Sequence, residues 1–295
     1  IEPGSVFKIV AAGAALDQGL VTPLTGFDCS NPLINYKGRD LKLPKEDHEF
    51  GHLTVAEIVS HSSNRGAAQL AMLMGEQRFY DYAQKFGFGQ RTGFQLGGEE
   101  RGMLASPKNW DGLTITRMPM GHAVAATPLQ MHMAMSAIAN GGVLLRPQII
   151  QEIREASGKV TQTFAPERVG QVLKPSALLA QLLHGVVGPE GTGAGFDVPG
   201  FEIAAKTGTT QKIIDGRYVT THHVGSFVGF FPASRPEVVL TVIVDDARVP
   251  GGSNYGRAVA APTFHRIAEQ LVQYLDIKPV QPAARSLLAM TGGAR

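Results

Sequence analysis

The chain has 295 residues, of which 43% are hydrophobic and 18% charged, and its formal net charge at pH 7 is +2. This length allows one large domain or two smaller ones, and a mean hydropathy near zero is typical of a globular protein. The sequence contains neither the long Lys and Arg runs of a nucleic-acid-binding surface nor an apolar stretch of the roughly 18 residues that a membrane-spanning helix needs.

The N-terminal part predicts a helix that follows a turn. Glu2-Pro3-Gly4-Ser5 forms the turn, and good helix formers run from Val6 to about Leu20, with Gly19 at the C-terminal cap. Residues 24–50 are rich in turn residues and contain the single cysteine, Cys29. One cysteine excludes an internal disulfide and a cysteine-built metal site, and we interpret Cys29 as a half-buried structural residue.

Two helical stretches separated by a polar break come next. Thr54-Val55-Ala56-Glu57 fits a capping box, so a helix is predicted to start at Thr54. The run Ser60-His61-Ser62-Ser63-Asn64 interrupts this helix, which resumes through residues 67–73. Further helices are predicted over residues 77–86, 128–140 and 174–188.

Beyond Pro199 the pattern changes from helix to strand. The predicted strands are Phe201 to Lys206, Val224 to Phe231 and Val238 to Asp245. A last helix is predicted from about Arg257 to Tyr274, and residues 278–295 are predicted to form a flexible tail. Helices followed by antiparallel strands and a closing helix favour the α+β class, with an antiparallel sheet sandwiched by helices, in one domain over residues 1–277.

The first segment that can carry chemistry is Ser5-Val6-Phe7-Lys8. If Ser5 begins the helix, Lys8 lies one turn further on the same face. A neutral Lys amine can take the Ser proton, and both burial and a nearby cation lower the pKa of a lysine. Taken alone, the motif fits a capped helix with a solvated lysine better.

Two other segments add polar groups. In Ser62-Ser63-Asn64, Ser62 could relay a proton and Asn64 could bind a substrate amide, although an ordinary polar turn has the same composition. Lys206-Thr207-Gly208-Thr209 follows the apolar residues 203–205 and offers a cation and two hydroxyls, with Gly208 allowing a ligand close to the main chain. The alternative for this segment is a strand end with a solvated lysine.

The three segments together match the S-x-x-K, S-D-N and K-T-G signature of class A β-lactamases and penicillin-binding proteins. They occur in that order, at a helix start, an inter-helix break and a strand end. Residues 1–277 resemble the transpeptidase domain of class B penicillin-binding proteins, in particular the septal branch. Segments that share this resemblance are residues 1–8, 62–66, 127–130, 191–193, 215–218, 226–230, 255–256 and 260–264.

The resemblance implies catalytic roles for five residues. Ser5 would be the nucleophile and Lys8 the base that activates it. Ser62 and Lys206 would form the proton path on the leaving-group side, with the charge of Lys206 keeping Lys8 neutral. Asn64 would orient the acyl chain of the substrate.

The same resemblance implies a binding strand and an oxyanion hole. Thr207 and Thr209, with Gly208 between them, would bind the substrate carboxylate. The backbone N–H groups of Ser5 and Thr209 would form the oxyanion hole. No cofactor and no metal are implied, and adjacent His222 and His223 point to opposite faces of a strand, so we interpret them as structural.

The activity implied is a D,D-transpeptidase that cross-links peptidoglycan stem peptides through a serine acyl-enzyme, takes β-lactam antibiotics as covalent inhibitors and acts in septal wall synthesis. Implied partners are a membrane glycosyltransferase and division proteins, and no nucleic acid. The implied location is the outer face of the cytoplasmic membrane. Because the candidate nucleophile lies so near Ile1, we expect upstream sequence to be missing. The resemblance implies that this missing part contains sheet strands that pair with the one bearing Lys206, a non-catalytic domain and a membrane anchor.

Three other functions share parts of this pattern. A β-lactamase needs a water-activating carboxylate, for which Glu99 and Glu100 are the candidates, but the separation of Ser62 from Lys206 is longer than in those compact enzymes. A D,D-carboxypeptidase differs only in using water as the acceptor. A non-catalytic peptidoglycan-binding scaffold could retain the pocket without the reaction.

Overall fold

The computed structural model describes residues 1–249 and 251–280. The α-helices in this part are Lys8–Asp17 (α1), Val55–Ser60 (α2), Asn64–Met74 (α3), Glu76–Lys85 (α4), Thr114–Arg117 (α5), Pro128–Ala139 (α6), Leu178–His184 (α7), Gly256–Val259 (α8) and Ala261–Tyr274 (α9). Short 3₁₀-helices are Gly4–Phe7, Pro107–Asn109, Met118–Met120 and Gly185–Val187. None of the described helices is both long and apolar enough to cross a membrane.

The strands fall into one three-stranded sheet and several two-stranded pairs. The short strands are Gly26–Asp28 (β1), Leu33–Tyr36 (β2), Arg39–Lys42 (β3), His52–Thr54 (β4), Met103–Leu104 (β5), Val124–Ala125 (β6), Val143–Leu145 (β7), Glu152–Arg154 (β8), Val160–Thr163 (β9) and Arg168–Gln171 (β10). The main sheet contains Ala204–Ile214 (β11), Arg217–Phe231 (β12) and Val238–Asp245 (β13), in the order β11-β12-β13 and antiparallel throughout.

Helices cover both faces of this sheet, as the α+β prediction required. Residues of β12 alternate between the faces. Val228 and Phe230 belong to the core that contains α1, α3 and α6, whereas Phe227 and Phe231 pack with Phe264 of α9. The Phe227 and Phe264 ring centroids are 4.7 Å apart. Each of these fully buried side chains contributes about 1.5–3 kcal/mol of hydrophobic stabilisation.

The strand that bears Lys206, β11, pairs along one edge with the downstream strand β12. The expectation that upstream strands also pair with it stays a prediction. Lys206 lies opposite Val228 of β12, and Val228 lies opposite Thr241 of β13. Neither the outer edge of β11 nor that of β13 pairs with another strand in the described part of the chain.

β11 and β12 are longer than the sequence predicted. They continue into a hairpin whose turn residues, Asp215 and Gly216, have φ angles of +50° and +75°. Positive φ at both turn positions gives the strand twist that a two-residue hairpin needs. The additional residues are mostly polar, and those nearest the turn are exposed, so they lack the hydrophobic alternation by which a strand is recognised.

Helix α1 is buried along most of its length and carries Lys8 as its first residue. The predicted helix from Val6 begins instead as a 3₁₀ turn, in which Phe7 packs on Phe88 with ring centroids 4.7 Å apart. At the other end Gly19 has a φ angle of +66°, and Leu20 N–H donates to the Ala15 carbonyl. This is the glycine cap that the sequence predicted.

The predicted break between the second and third helices is present. The side chain of Thr54 accepts from Glu57 N–H in a complete capping box at the start of α2. Ser63 caps α3 by accepting from Gly66 N–H at 2.9 Å. The predicted helices at 77–86 and 128–140 match α4 and α6 within one residue, whereas α7 is shorter than predicted.

Part of the turn-rich region folds into two strand pairs, β2–β3 and β1–β4, that the sequence did not predict because these strands are short and largely exposed. Most of the predicted tail at 278–295 lies outside the described residues. At its start, Val280 N–H donates to the Gly200 carbonyl at 2.8 Å.

The 3₁₀ turn that precedes α1 rests on the backbone of Gly121, which suggests a test. Gly121 has a φ angle of +84°, and a Cβ atom at this position would lie 2.1 Å from the Gly4 carbonyl oxygen. We therefore expect Gly121→Ala to lower the free energy of unfolding by roughly 1–3 kcal/mol. Chemical denaturation measures this, with Gly112→Ala as the control because a Cβ at Gly112 meets no atom within 4 Å. Equal losses in the two variants would contradict the packing argument.

Candidate active site

Residues 206–209, predicted to lie at a strand end, lie within the first half of β11. A cleft of about 830 Å³ opens where this half of β11 meets the start of α1 and the break between α2 and α3. Six of the residues singled out in the sequence line it: Ser5, Ser62, Asn64, Thr207, Gly208 and Thr209. The two remaining residues, Lys8 and Lys206, are only 3% and 0% exposed. The fold therefore brings together all eight predicted site residues from three segments that are distant in sequence.

The Lys8 amine is held by the inter-helix break. Its Nζ donates to the Ser62 carbonyl, to Ser62 Oγ at 3.0 Å and to Asn64 Oδ1 at 2.7 Å. Three acceptors satisfy the three protons of an ammonium group. Among the described residues, the Ser5 hydroxyl is not a partner of the Lys8 amine, although the Lys8 backbone N–H donates to the Ser5 carbonyl. Catalytic hydrogen bonds often tighten only when substrate binds, so Lys8 stays the candidate base.

Ser62 connects the two buried lysines. Its φ angle of +60° is unusual for a residue other than glycine. In this conformation the Ser62 carbonyl accepts a hydrogen bond from Lys8 Nζ. Ser62 Oγ lies 3.0 Å from Lys8 Nζ and 2.8 Å from Lys206 Nζ. When both amines donate, the two lone pairs of the hydroxyl are used and its proton remains available for a group in the cleft.

Burial lowers the pKa of both lysines. The pKa of Lys8 falls to about 8 because the amine is desolvated, while the nearby carboxylates of Glu46 and Asp47 act in the opposite direction. Burial and the charge of Lys8 place the pKa of Lys206 well below its usual range. Both shifts favour the neutral amine, and the repulsion between two positive charges disfavours a state in which both lysines are protonated. The role predicted for the charge of Lys206 stays a prediction.

Thr207 and Thr209, in the first half of β11, present their hydroxyls to the cleft. Thr207 Oγ1 lies 2.8 Å from Thr192 Oγ1, and Thr209 Oγ1 accepts from Gly256 N–H at 2.9 Å. Gly208 has a different role from the one predicted. A Cβ atom there would lie 2.4 Å from Ser226 Oγ and 3.0 Å from Val6 Cγ2, so the missing side chain permits close packing under the nucleophile turn and not the approach of a ligand.

The turn that carries Ser5, residues 2–5, packs directly against Thr209 and Thr210 of β11. A Cβ atom on Gly4 would be 2.6 Å from Thr210 Cγ2 and 3.0 Å from the Thr209 carbonyl oxygen. Thr210 Oγ1 donates to the Glu2 carbonyl at 3.2 Å. Ser5 and Thr209, the predicted oxyanion-hole residues, are therefore on adjacent segments at the same cleft.

Sequence reasoning missed a carboxylate that anchors this turn. Glu2 lies 2.9 Å from His122 Nδ1 and accepts from Tyr218 OH at 3.0 Å and from Ala123 N–H at 3.1 Å. Burial raises the pKa of Glu2, but its hydrogen bonds and the His122 charge outweigh that effect and lower it overall. The partners are at least 120 residues away in sequence, so no local pattern reveals them.

A second missed carboxylate is Glu46, which is 9% exposed and bonds to the residues that follow Ser62. The sequence shows only a charged turn, Lys45-Glu46-Asp47-His48, which is typical of a solvated loop. Its burial depends on tertiary packing alone.

The other residues singled out in the sequence have local partners. Glu99, a candidate for a water-activating carboxylate, accepts from the N–H groups of Thr92 and Gly93 at 2.7 and 3.0 Å. Cys29 is fully buried, more so than predicted, and burial raises the pKa of its thiol. His222 Nδ1 lies 2.6 Å from a carboxylate oxygen of Asp246.

Comparisons with known proteins agree with this geometry. Residues 1–269 match the family model described as the penicillin binding protein transpeptidase domain. The chain is 34% identical to stage V sporulation protein D of Bacillus subtilis, over 94% of this chain and 43% of that protein. It is 31% identical to a probable peptidoglycan D,D-transpeptidase, PenA, of Neisseria flavescens, over 97% of this chain and 68% of that protein.

Solved structures show the same fold. Penicillin binding protein 3 from Mycobacterium tuberculosis, complexed with aztreonam, aligns with a TM-score of 0.84 and 33% identity, over 96% of this chain and 64% of that chain. The chain spans less than half the length of the sporulation protein and about two thirds of PenA.

Proposed function

The chain belongs to the penicillin-binding protein transpeptidase family, and from this membership we propose that it is the catalytic domain of a class B peptidoglycan D,D-transpeptidase. The observation that supports this most directly is Ser62 Oγ, bonded by both Lys8 and Lys206 at the cleft that contains Ser5. A solvated lysine, the alternative for each motif alone, does not fit two amines that are at least 97% buried.

In the first half-reaction Ser5 Oγ attacks the carbonyl carbon of a D-Ala–D-Ala peptide bond. Its proton passes to the neutral amine of Lys8. The C–N bond breaks as the leaving nitrogen receives a proton through Ser62, and D-alanine departs. The oxyanion lies between the backbone N–H groups of Ser5 and Thr209, each donor being worth about 2.7–4 kcal/mol.

In the second half-reaction an amine from a neighbouring stem peptide attacks the acyl-enzyme. A new amide bond forms, the ester bond to Ser5 breaks, and the serine regains its proton. Carboxylate binding belongs to the first half-reaction, in which the hydroxyls of Thr207 and Thr209 bind the terminal carboxylate of the donor beside the Lys206 amine, before D-alanine leaves. Asn64 orients the acyl chain, which stays on the enzyme through both half-reactions. A β-lactam forms the same ester but keeps its leaving nitrogen tethered, so the acyl-enzyme persists.

The wider setting follows from the resemblance of the sequence. We propose that the domain acts in septal wall synthesis, at the outer face of the cytoplasmic membrane, anchored by an N-terminal segment that is not in this chain. A membrane glycosyltransferase that supplies glycan strands and proteins of the division apparatus are the proposed partners.

Intact-mass spectrometry of the whole protein with benzylpenicillin tests the reaction. We expect one adduct with the full mass of the antibiotic, since ring opening expels nothing, and peptide mapping should place it on the Ser5 peptide. Rapid loss of the adduct would indicate a β-lactamase, and no adduct would favour a non-catalytic scaffold.

A stem-peptide donor, supplied with and without an amine acceptor, separates the transpeptidase from a D,D-carboxypeptidase. A cross-linked product that requires the acceptor supports the transpeptidase. Release of D-alanine at an unchanged rate, with no cross-linked product, would support the carboxypeptidase.

A further inference from the structure

The loop between β3 and β4 carries a buried carboxylate to the start of α3. Glu46 accepts from Ser63 Oγ at 2.6 Å, from Asn64 N–H at 2.7 Å and from Arg65 N–H at 2.8 Å. The first N–H groups of a helix have no partners within the helix, and a negative charge is favoured there. Glu46 thus satisfies donors at the N-terminus of α3 while it is only 9% exposed.

Neighbouring residues fasten the same loop to the same helix. The Asn64 side chain donates to the Lys45 carbonyl at 2.8 Å, and Arg65 Nε donates to the Pro44 carbonyl at 3.2 Å. The Asn64 amide therefore has its nitrogen fixed by the loop and its oxygen directed at Lys8. The position of this oxygen depends on where the loop holds the helix start.

The charge of Glu46 also bears on the lysine pair. The charged groups that act on Lys8 come from two directions, with Glu46 and Asp47 in the loop and Lys206 on β11. Ser62 and Asn64 supply its hydrogen bonds from the break. One element thus holds the acceptors of the Lys8 amine in place and also contributes negative charge near it.

Resting on the proposed function, we propose that Glu46 is a positioning residue for the acylation step. It fixes residues 62–64 in the conformation that presents Ser62 and Asn64 to Lys8, and its carboxylate favours the proton held on the Lys8 amine in the resting site. Glu46 acts through these residues and does not contact the reacting atoms.

Glu46→Gln tests both parts, because glutamine keeps the size of the side chain but removes its charge and turns an NH₂ group toward N–H donors. We expect the acylation rate constant with benzylpenicillin at its high-pH plateau to fall about 10- to 100-fold, the order expected for a small misplacement of catalytic groups. We also expect the midpoint of the pH–rate curve to move below the value of about 8 set by the pKa of Lys8, since the carboxylate that opposes desolvation is lost.

Asp47→Asn is the matched control. Asp47 also acts on the charge of Lys8, but within residues 1–249 and 251–280 its side chain makes no hydrogen bond to the break. This variant should shift the midpoint in the same direction and leave the plateau within about twofold, whereas a purely structural role of Glu46 would lower the plateau and leave the midpoint unmoved.

Glu46→Asp keeps the charge on a shorter side chain and is expected to lower the plateau at an unshifted midpoint. If thermal unfolding shows that Glu46→Gln does not fold, Glu46→Asp tests the positioning part and Asp47→Asn tests the effect of the loop charge on the midpoint. A plateau and midpoint equal to wild type in the Glu46 variants would overturn the proposal and leave the proposed function intact. A wild-type protein that is not acylated would overturn both.

Discussion

Ser5→Ala is expected to abolish the covalent benzylpenicillin adduct completely. The alanine variant keeps the turn, the cleft and both lysines but lacks the only atom that the proposed reaction acylates. Ser5 lies at the mouth of the cleft and is only half-buried, so we expect thermal unfolding to be unchanged. Intact mass recorded after prolonged incubation measures the adduct.

Ser62→Ala is the control variant for this prediction. It removes a hydroxyl at the same cleft that contacts both lysines, yet leaves the nucleophile in place. We expect acylation of this variant to be slower by roughly 10²–10⁴-fold, the usual contribution of a proton-transfer group, and still to reach one adduct per chain. If Ser5→Ala forms the adduct and Ser62→Ala does not, the nucleophile has been assigned to the wrong serine.

The parts of the fold that were predictable from the sequence are those specified by nearby residues. Thr54 with Glu57, and Gly19 after α1, begin or end helices through contacts within a few positions, and both behave as predicted. The apolar run from Val238 to Asp245 forms a strand with the predicted bounds. The three motifs were recognisable because each of them is a short run of neighbouring residues.

What the sequence could not supply are contacts between distant residues. Nothing near Glu46 in the sequence indicates that it is buried against the start of α3. Gly208 has no room for a side chain because Ser226 of the next strand lies against it. The carboxylates that oppose the desolvation of Lys8, those of Glu46 and Asp47, likewise act on it only in the folded chain.

The two missed carboxylates hold opposite sides of the cleft. Glu2 fastens the turn that carries Ser5 to the segment around His122, and Glu46 fastens the break that carries Ser62. Both use backbone N–H donors, which only a substitution by proline removes. The nucleophile and its proton path are thus held by separate segments of the chain.

Acylation of the wild-type protein is expected to rise with pH through a midpoint near 8 and then level off. Lys8 accepts the Ser5 proton only as a neutral amine, and burial lowers its pKa to about 8, so the competent fraction grows as pH increases through that value. In Lys8→Met the amine is absent. We therefore expect the plateau rate to fall roughly 10²–10⁴-fold and the rise near pH 8 to disappear.

Lys45→Met serves as the control, because Lys45 lines the same cleft but is exposed. Its pH profile should keep the wild-type midpoint, which separates loss of the base from loss of a positive charge at the cleft. Thermal unfolding checks that methionine is accepted in the buried site. A Lys8→Met protein that is folded and still shows the rise near pH 8 would assign the base to another group. Lys206 would be the next candidate, because its amine shares Ser62 Oγ with Lys8.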